Sequence, residues 1–338
     1  MKALIYGGGA VGLGVASCLL SSGEEVDIIA RERTVSALRR NGLLRTGIFG
    51  SVEFGPGEFG AFASSDELLR GERRRVRDGD RHIEGGPGYD YILICTKSFS
   101  SPAAAADLSS RPEILAPAGK IVLFQNGWGN AEIFNEHFPM DRIYSARVIT
   151  GFKMTAKNAV EVTVHADSIH LGSLFGSDLA PMVPLAGAIC RGGIPAEVVT
   201  DVGKDLWAKI LYNCALNPLG AIFGVPYGVL GQDASSREMM EAVIKEIFSV
   251  MEAARYETHW SAPEEYTAVF YEKLLPPTAG HESSTLQDIR AGKPTEIDAL
   301  SGAVVRLGEE TGVPTPVNWA LYRMVKFMEG GSRNRSGG

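Results

Sequence analysis

Apolar residues fall in short unbroken runs in the first half of the chain and at helical spacing in the second. Ala3–Tyr6, Val26–Ala30, Tyr91–Cys95 and Lys120–Phe124 are such runs, each ending at glycine or polar residues. They are too short for helices and largely hydrophobic on both faces, so they predict strands inside a parallel sheet. Ala10–Ser22, Thr34–Asn41 and Ala103–Leu108 read as helices between them. Gly23 ends the first as a C′ glycine does, and Gly42 follows the second. Asp66–Leu69 predicts a further short helix. The alternation over residues 1–150 predicts a doubly wound α/β domain. Residues 158–172 predict a hairpin extending that sheet, because Val160-Glu161-Val162-Thr163-Val164 alternates as a half-exposed strand does.

After about residue 200 the period changes. Met239, Met240, Val243, Ile244, Ile247 and Met251 form one stripe, and Leu300, Val304 and Leu307 form another. These are core faces of helices. A last helix is expected over about Pro316–Met328. The predicted organisation is an α/β domain over 1–200, a mostly helical domain over 201–330 and a flexible tail over 331–338. The tail, Gly330 to Gly338, has nothing to bury.

Composition narrows the function. The 338 residues are 45% hydrophobic and 22% charged, as in soluble globular proteins. A net charge of -7 argues against nucleic acid as partner. No apolar run approaches the roughly 18 residues of a membrane span. The first apolar run is broken by glycines and lacks a signal-peptide layout. Cys18, Cys95, Cys190 and Cys214 lie far apart in apolar contexts without a CxxC pair, which predicts reduced core thiols, a cytoplasmic protein and no metal site. Residues 70–88 interrupt the texture with six arginines and four acids. The plain reading is an inserted solvent-exposed loop or hairpin; the alternative is a site for a phosphate-bearing partner.

The chemistry begins at residue 7. Gly7-Gly8-Gly9-Ala10-Val11-Gly12 follows a strand and opens a helix. In that frame Gly7 permits the tight turn, Gly9 admits a pyrophosphate to the backbone, and Gly12 allows close helix–strand packing. Helix N-terminal amides then face the phosphates. The whole turn is therefore a predicted dinucleotide site on a Rossmann-type sheet. The second strand ends at Ala30-Arg31-Glu32-Arg33. Arg31 sits where a guanidinium pairs with a 2′-phosphate, which favours NADP; Glu32 keeps NAD open, and Arg31 also reads as a plain surface charge. Thr96-Lys97 and Gln125-Asn126-Gly127 lie at further strand ends, where Lys97 suits a phosphate or ribose hydroxyl. Asn126 suits the nicotinamide ribose or the substrate, unless Asn126-Gly127 is simply a turn.

Delivering a hydride to a carbonyl requires a proton donor at the developing alkoxide. Lys209 sits among apolar neighbours in Leu206-Trp207-Ala208-Lys209-Ile210-Leu211, and partial desolvation makes a lysine a better acid. Asn213 and Asn217 follow at four and eight residues, on the same face of a helix. Pro218 then requires that helix to bend or end near Asn217. Glu296 is a candidate partner for Lys209 and for a substrate hydroxyl, and Ser284 a donor to a substrate carboxylate; spacing alone decides neither.

These motifs resemble the ketopantoate reductase (2-dehydropantoate 2-reductase) family over nearly the whole chain. The matching pieces are Gly7-x-Gly9-x-x-Gly12, Thr96-Lys97, Asn126-Gly127, Leu206-Trp207-x-Lys209-x-x-x-Asn213-x-x-x-Asn217-Pro218-Leu219, Ser283-Ser284-x-Leu286-Gln287-Asp288-Ile289-Arg290 and Thr295-Glu296-Ile297-Asp298. The resemblance implies NADPH-dependent reduction of 2-dehydropantoate to (R)-pantoate, on the route to pantothenate and coenzyme A. It implies Lys209 as general acid and Glu296 as the group that orients substrate and lysine. Asn213, Asn217 and Ser284 would hold the substrate. Arg31, Lys97, Asn126 and the glycine turn would serve the cofactor, with Glu296 beside it. His281, the loop around Tyr227 and the arginine-rich insert depart from the family pattern. Two other readings stay open: a paralogous NAD(P)-dependent reductase of another 2-keto acid, and a catalytically silent NADP sensor, against which the intact Lys209 and Glu296 speak. The helical domain is compatible with a homodimer.

Overall fold

The computed structural model describes residues 1–78 and 88–335, with the side chains of 72–78 and 331–335 left aside. The chain opens as strand β1 (Lys2–Tyr6), helix α1 (Ala10–Ser21), strand β2 (Glu25–Ile29) and helix α2 (Glu32–Asn41). Strands β3 (Leu43–Gly47), β4 (Val52–Phe54) and β5 (Gly60–Phe62) follow, then helix α3 (Ser65–Asp78). Next come β6 (Tyr89–Ile94), α4 (Ser101–Ser109), β7 (Leu115–Leu123), α5 (Asn130–Asn135) and β8 (Ile143–Arg147). The last α/β elements are β9 (Thr150–Ala156), β10 (Ala159–His165), β11 (Ile169–Gly172), α6 (Val183–Arg191) and β12 (Ala196–Val198).

The main sheet has eight strands in the order β12-β11-β8-β7-β6-β1-β2-β5. From β5 to β8 every neighbouring pair is parallel. The chain starts in the middle at β1, winds outward through β2 and β5, then returns to β6 on the other side of β1. That reversal opens a crevice at the carboxyl ends of β1 and β6, where ligands bind in open α/β sheets. Period-2 alternation divides the core. Ala3 and Ile5 pack with Leu13, Ala16 and Leu93 on one face. Leu4 packs with Ile92, Ile94, Ala104 and Leu108 on the other.

A second sheet, β4-β3-β10-β9, was not anticipated. It corrects the hairpin expected over 158–172. β10 pairs antiparallel with β9 and parallel with β3, while β11 leaves for the main sheet and pairs antiparallel with β8. The reason is α1: residues 12–19 are all buried, so the helix needs cover on the side away from the main sheet. Its Gly14 lies under the Phe152 ring so closely that a Cβ there would come within 2.3 Å.

Other boundaries also shift. Helix α3 continues to Asp78, so residues 70–78 are helical rather than loop or hairpin; residues 79–87 of the arginine-rich segment lie outside the described residues. All four cysteines are free, but Cys190 is exposed rather than buried, because α6 turns Leu185, Ala186 and Ile189 inward and Cys190 outward.

The chain divides into two compact units. One comprises Met1–Gln125 with Asn130–Val202; the other comprises Asn126–Gly129 with Gly203–Gly338. The second unit is helical: most of α7 (Val202–Phe223), then α8 (Tyr227–Gln232), α9 (Ala234–Ala254), α10 (Pro263–Val269), α11 (Ser284–Arg290), α12 (Ser301–Thr311) and α13 (Pro316–Arg335). Met240, Val243, Ile244, Ile247 and Met251 form the buried stripe of α9. Of the two outcomes expected at Pro218, a bend or an end near Asn217, the second does not occur: helix α7 runs through Pro218 to Phe223. Proline removes one backbone donor from an interior turn, and the buried Leu216, Leu219 and Ala221 hold the helix together around it. The last helix extends past Met328 to Arg335. No helix of the described residues is long and apolar enough to cross a membrane.

Candidate active site

The first unit holds the glycine turn. Gly7 has φ +121°, and a Cβ there would lie 2.6 Å from the Thr96 amide nitrogen at the end of β6. Its own amide donates to the Ile29 carbonyl at 2.9 Å, so the turn is fastened to both neighbouring strands. At Gly12 a Cβ would lie 2.0 Å from the Gly7 carbonyl oxygen; at Gly8 it would meet the Ala30 Cβ at 2.6 Å. Only Gly9 faces open space, with nothing within 4 Å. Gly9 is also the N-cap of α1 and offers no side-chain cap to the first-turn amides of Ala10, Val11 and Gly12. Three glycines thus bring the backbone together, and the fourth leaves uncapped helix amides facing room for an anion. Such a cradle fits a dinucleotide pyrophosphate.

Arg31 caps α2 at the carboxyl end of β2 and is exposed. Lys97 follows β6 and is half-buried. Below this rim, Gln125 Nε2 donates to Ser101 Oγ at 2.8 Å, and Ser101 donates to Asn130 Oδ1 at 2.8 Å. This triad anchors the end of β7 just before the chain enters the second unit.

In the second unit three predicted residues meet. Lys209 Nζ donates to Asn126 Oδ1 at 2.6 Å, and Asn126 Nδ2 donates to Glu296 Oε2 at 3.1 Å. Glu296 is 7% exposed, while Lys209 and Asn126 are partly buried. The amide lies between an ammonium that only donates and a carboxylate that only accepts, so its orientation has one solution. The backbone of Asn126–Gly129 is what permits this. Gly127 has φ +88°, and a Cβ on it would come within 2.3 Å of the Ala299 carbonyl oxygen. Trp128 N donates to that same oxygen at 2.8 Å. Asn126-Gly127 is therefore more than a turn: the glycine lets the loop lie against the segment that carries Glu296. The Trp128 ring packs on Trp207 and Tyr256, each with centroids 4.7 Å apart, which shields the side of α7 next to Lys209.

Among the described residues, no hydrogen bond joins Asn213, Asn217 or Ser284 to this relay. Asn213, one turn after Lys209, is half-buried and has no hydrogen-bond partner among the described residues. Asn217 is buried, and its Oδ1 accepts from Tyr227 Oη at 2.6 Å. Ser284 is the exposed first residue of α11. Its neighbour Ser283 is fully buried, caps α11 by accepting from Leu286 N at 3.0 Å, and donates to the Asn217 backbone carbonyl at 3.2 Å. Tyr227 and Ser283 were not singled out for these roles. The signal for Ser283 was present, as a serine three residues before the buried Leu286.

The loop bearing Glu296 is itself held from α13. Thr295 N and Oγ both donate to Glu329 Oε1 at 2.7 Å, and Thr295 Oγ accepts from Ile297 N at 3.2 Å. Asp298 accepts from Tyr322 Oη at 2.7 Å and Lys326 Nζ at 3.0 Å.

A doubly wound sheet with a nucleotide cradle at its reversal point, and a half-buried ammonium relay elsewhere in the chain, define a nucleotide-dependent oxidoreductase as the class. The comparisons with known proteins make that specific. The family model "Ketopantoate reductase PanE/ApbA" matches residues 3–176, and "Ketopantoate reductase PanE/ApbA C terminal" matches 201–329. The chain belongs to the ketopantoate reductase family. A 2-dehydropantoate 2-reductase of Aquifex aeolicus is 36% identical over 331 residues, 97% of each chain. One from Archaeoglobus fulgidus is 28% identical over the same span, again 97% of each. Among solved structures, a PanE/ApbA family ketopantoate reductase from Ralstonia eutropha superposes with a TM-score of 0.82 at 27% identity, covering 98% of this chain and 100% of that one. D-mandelate dehydrogenase, solved with NADH and anilino(oxo)acetate, shares the fold with a TM-score of 0.83 at 24% identity, over 98% and 100%. As a member of this family the chain is an oxidoreductase working with a nicotinamide cofactor.

Proposed function

We propose that the chain reduces 2-dehydropantoate to (R)-pantoate with NADPH, supplying pantothenate and coenzyme A synthesis. The observation that carries the reading is the relay from Lys209 through Asn126 to Glu296. When bound, the reduced nicotinamide supplies a hydride to the keto carbon. The residues of the chain do the rest. Gly7 to Gly12 cradle the pyrophosphate, and Arg31 pairs with the 2′-phosphate, assisted by Lys97. Lys209 gives a proton to the oxygen that becomes the alcohol. One ammonium hydrogen is committed to Asn126, which aims the others; Glu296 fixes Asn126 and with it the amine. Asn213 and Ser284 hold the substrate, as does Asn217. Tyr227 takes the amide oxygen of Asn217, which leaves its NH₂ for a substrate carboxylate or hydroxyl.

A second reading, reduction of a different 2-keto acid, draws on the departures near this pocket: the Tyr227 ring lies 5.4 Å from that of His281, where the family pattern differs. The test is a steady-state comparison of 2-dehydropantoate with truncated 2-keto acids, using NADPH and NADH. The proposal expects the highest kcat/KM for 2-dehydropantoate with NADPH. Faster turnover of a smaller keto acid would transfer the assignment to it, and NADPH binding without turnover of any keto acid would favour a sensor.

A further inference from the structure

We propose that Glu329 on α13 is a positioning residue that holds the Glu296 carboxylate in its working place through Thr295. The inference rests on the reading of Lys209 and Glu296 as catalytic, and extends it to two residues with no assigned role.

Glu296 lies in the short segment between α11 and α12, and such a segment has no ladder of its own to fix it. Its backbone is held on one side directly by a carboxylate and on the other through the Thr295 hydroxyl. Glu329 Oε1 accepts from Thr295 N and from Thr295 Oγ, both at 2.7 Å. Having donated to Glu329, the Thr295 hydroxyl accepts from Ile297 N at 3.2 Å. The residues before and after Glu296 thus share one hydrogen-bonded chain ending on Glu329. The other carboxylate oxygen, Oε2, lies 2.9 Å from Lys326 Nζ, and Lys326 also reaches Asp298 Oδ2 at 3.0 Å. Glu329 and Thr295 are 7% and 1% exposed. Burying a carboxylate is costly unless it is paired and hydrogen-bonded. This one is engaged at both oxygens, one by Thr295 beside Glu296 and the other by Lys326. A single turn of α13 therefore sets the height and rotation of Glu296, which sets Asn126, which sets Lys209. Displacements of about 1 Å far from the chemistry are known to cost on the order of 100-fold in rate.

The test compares Glu329→Gln, Thr295→Val and Thr295→Ser in the full-length protein. Glu329→Gln keeps an acceptor but loses the charge. Thr295→Val removes the hydroxyl from the chain, and Thr295→Ser keeps it. With whichever 2-keto acid the wild type reduces, kcat should fall about 10- to 100-fold for Glu329→Gln and Thr295→Val, with little change in the KM for NADPH. Thr295→Ser should restore most of it. In a Glu296→Gln background the Glu329→Gln change should cost almost nothing more, because both act through one group. A second measurement needs no turnover: the pH dependence of chemical labelling of the Lys209 amine should move in Glu329→Gln and stay put in Thr295→Ser. Equal fold losses with and without Glu296, or loss of activity only in proportion to loss of folded protein, would overturn the proposal. An unmoved labelling profile would overturn it too. Absence of wild-type turnover with any keto acid would instead count against the proposed function, and the labelling profile would still decide this point.

Discussion

The two halves of the chemistry are built in opposite ways. The proposed nucleotide cradle is contiguous: six residues from Gly7 to Gly12, shaped by backbone angles and by atoms a side chain would strike. The proposed proton relay is dispersed: Lys209 reaches a residue 83 positions away, and that residue reaches another 170 positions away. The cradle works by what its residues lack. The relay works by the identity of each polar group and the fold that brings them together. A local motif tolerates change in its surroundings, whereas a dispersed one depends on every loop that carries a member.

The sharpest way to break this comparison is Lys209→Ala. It removes the proposed proton donor and should lower kcat by about 10² to 10⁴, while NADPH binding, measured by fluorescence, stays near wild type. Loss of both together would mean the two regions are not separable. Next comes Gly127→Ala. The residue has φ +88° and its Cβ would meet the Ala299 carbonyl oxygen at 2.3 Å. The loop must then move, and Asn126 with it. A kcat loss on the order of 100-fold is expected, together with a lower Tm. Wild-type kinetics for this variant would show that the backbone approach is irrelevant to the relay.

Smaller effects sharpen the cradle side. Arg31→Ala should raise KM for NADPH about 10- to 100-fold, the value of a charge-assisted pair at roughly 1.5–3 kcal/mol, and leave KM for NADH unchanged. An equal rise for both cofactors would remove Arg31 from 2′-phosphate recognition. The smallest effect is expected for Tyr227→Phe. It strips the buried Asn217 of a 2.6 Å hydrogen bond and should cost roughly 1–3 kcal/mol of stability, read by denaturant unfolding, with a modest rise in substrate KM. No change in either would separate Tyr227 from the proposed substrate site.

Several elements were readable in advance for stated reasons. β1, β2, β6 and α1 appear where short apolar runs and a glycine turn placed them, since both signals are local. The buried stripe of α9 followed from its 3.6-residue period. The second sheet was not readable. β3 and β4 are short and mixed in polarity, and the parallel pairing of β3 with β10 joins residues more than 100 positions apart. The last helix is expected to end at about Met328, and the tail from Gly330 has nothing to bury. That helix boundary stops one residue short of Glu329, whose carboxylate accepts from both donors of Thr295. Asn126 was recognised as polar and placed at a strand end, yet nothing in its neighbourhood announced that it bridges an ammonium and a carboxylate.

The amino-acid order alone determined the strand and helix periods, the tight turn after β1 and the candidate lysine, because each depends on residues within a few positions of one another. Tertiary structure decided which polar groups touch. The pairing of Lys209 with Asn126, of Asn126 with Glu296 and of Thr295 with Glu329 exists only once distant segments are packed, since a hydrogen bond requires atoms within about 3 Å and no spacing along a chain specifies that.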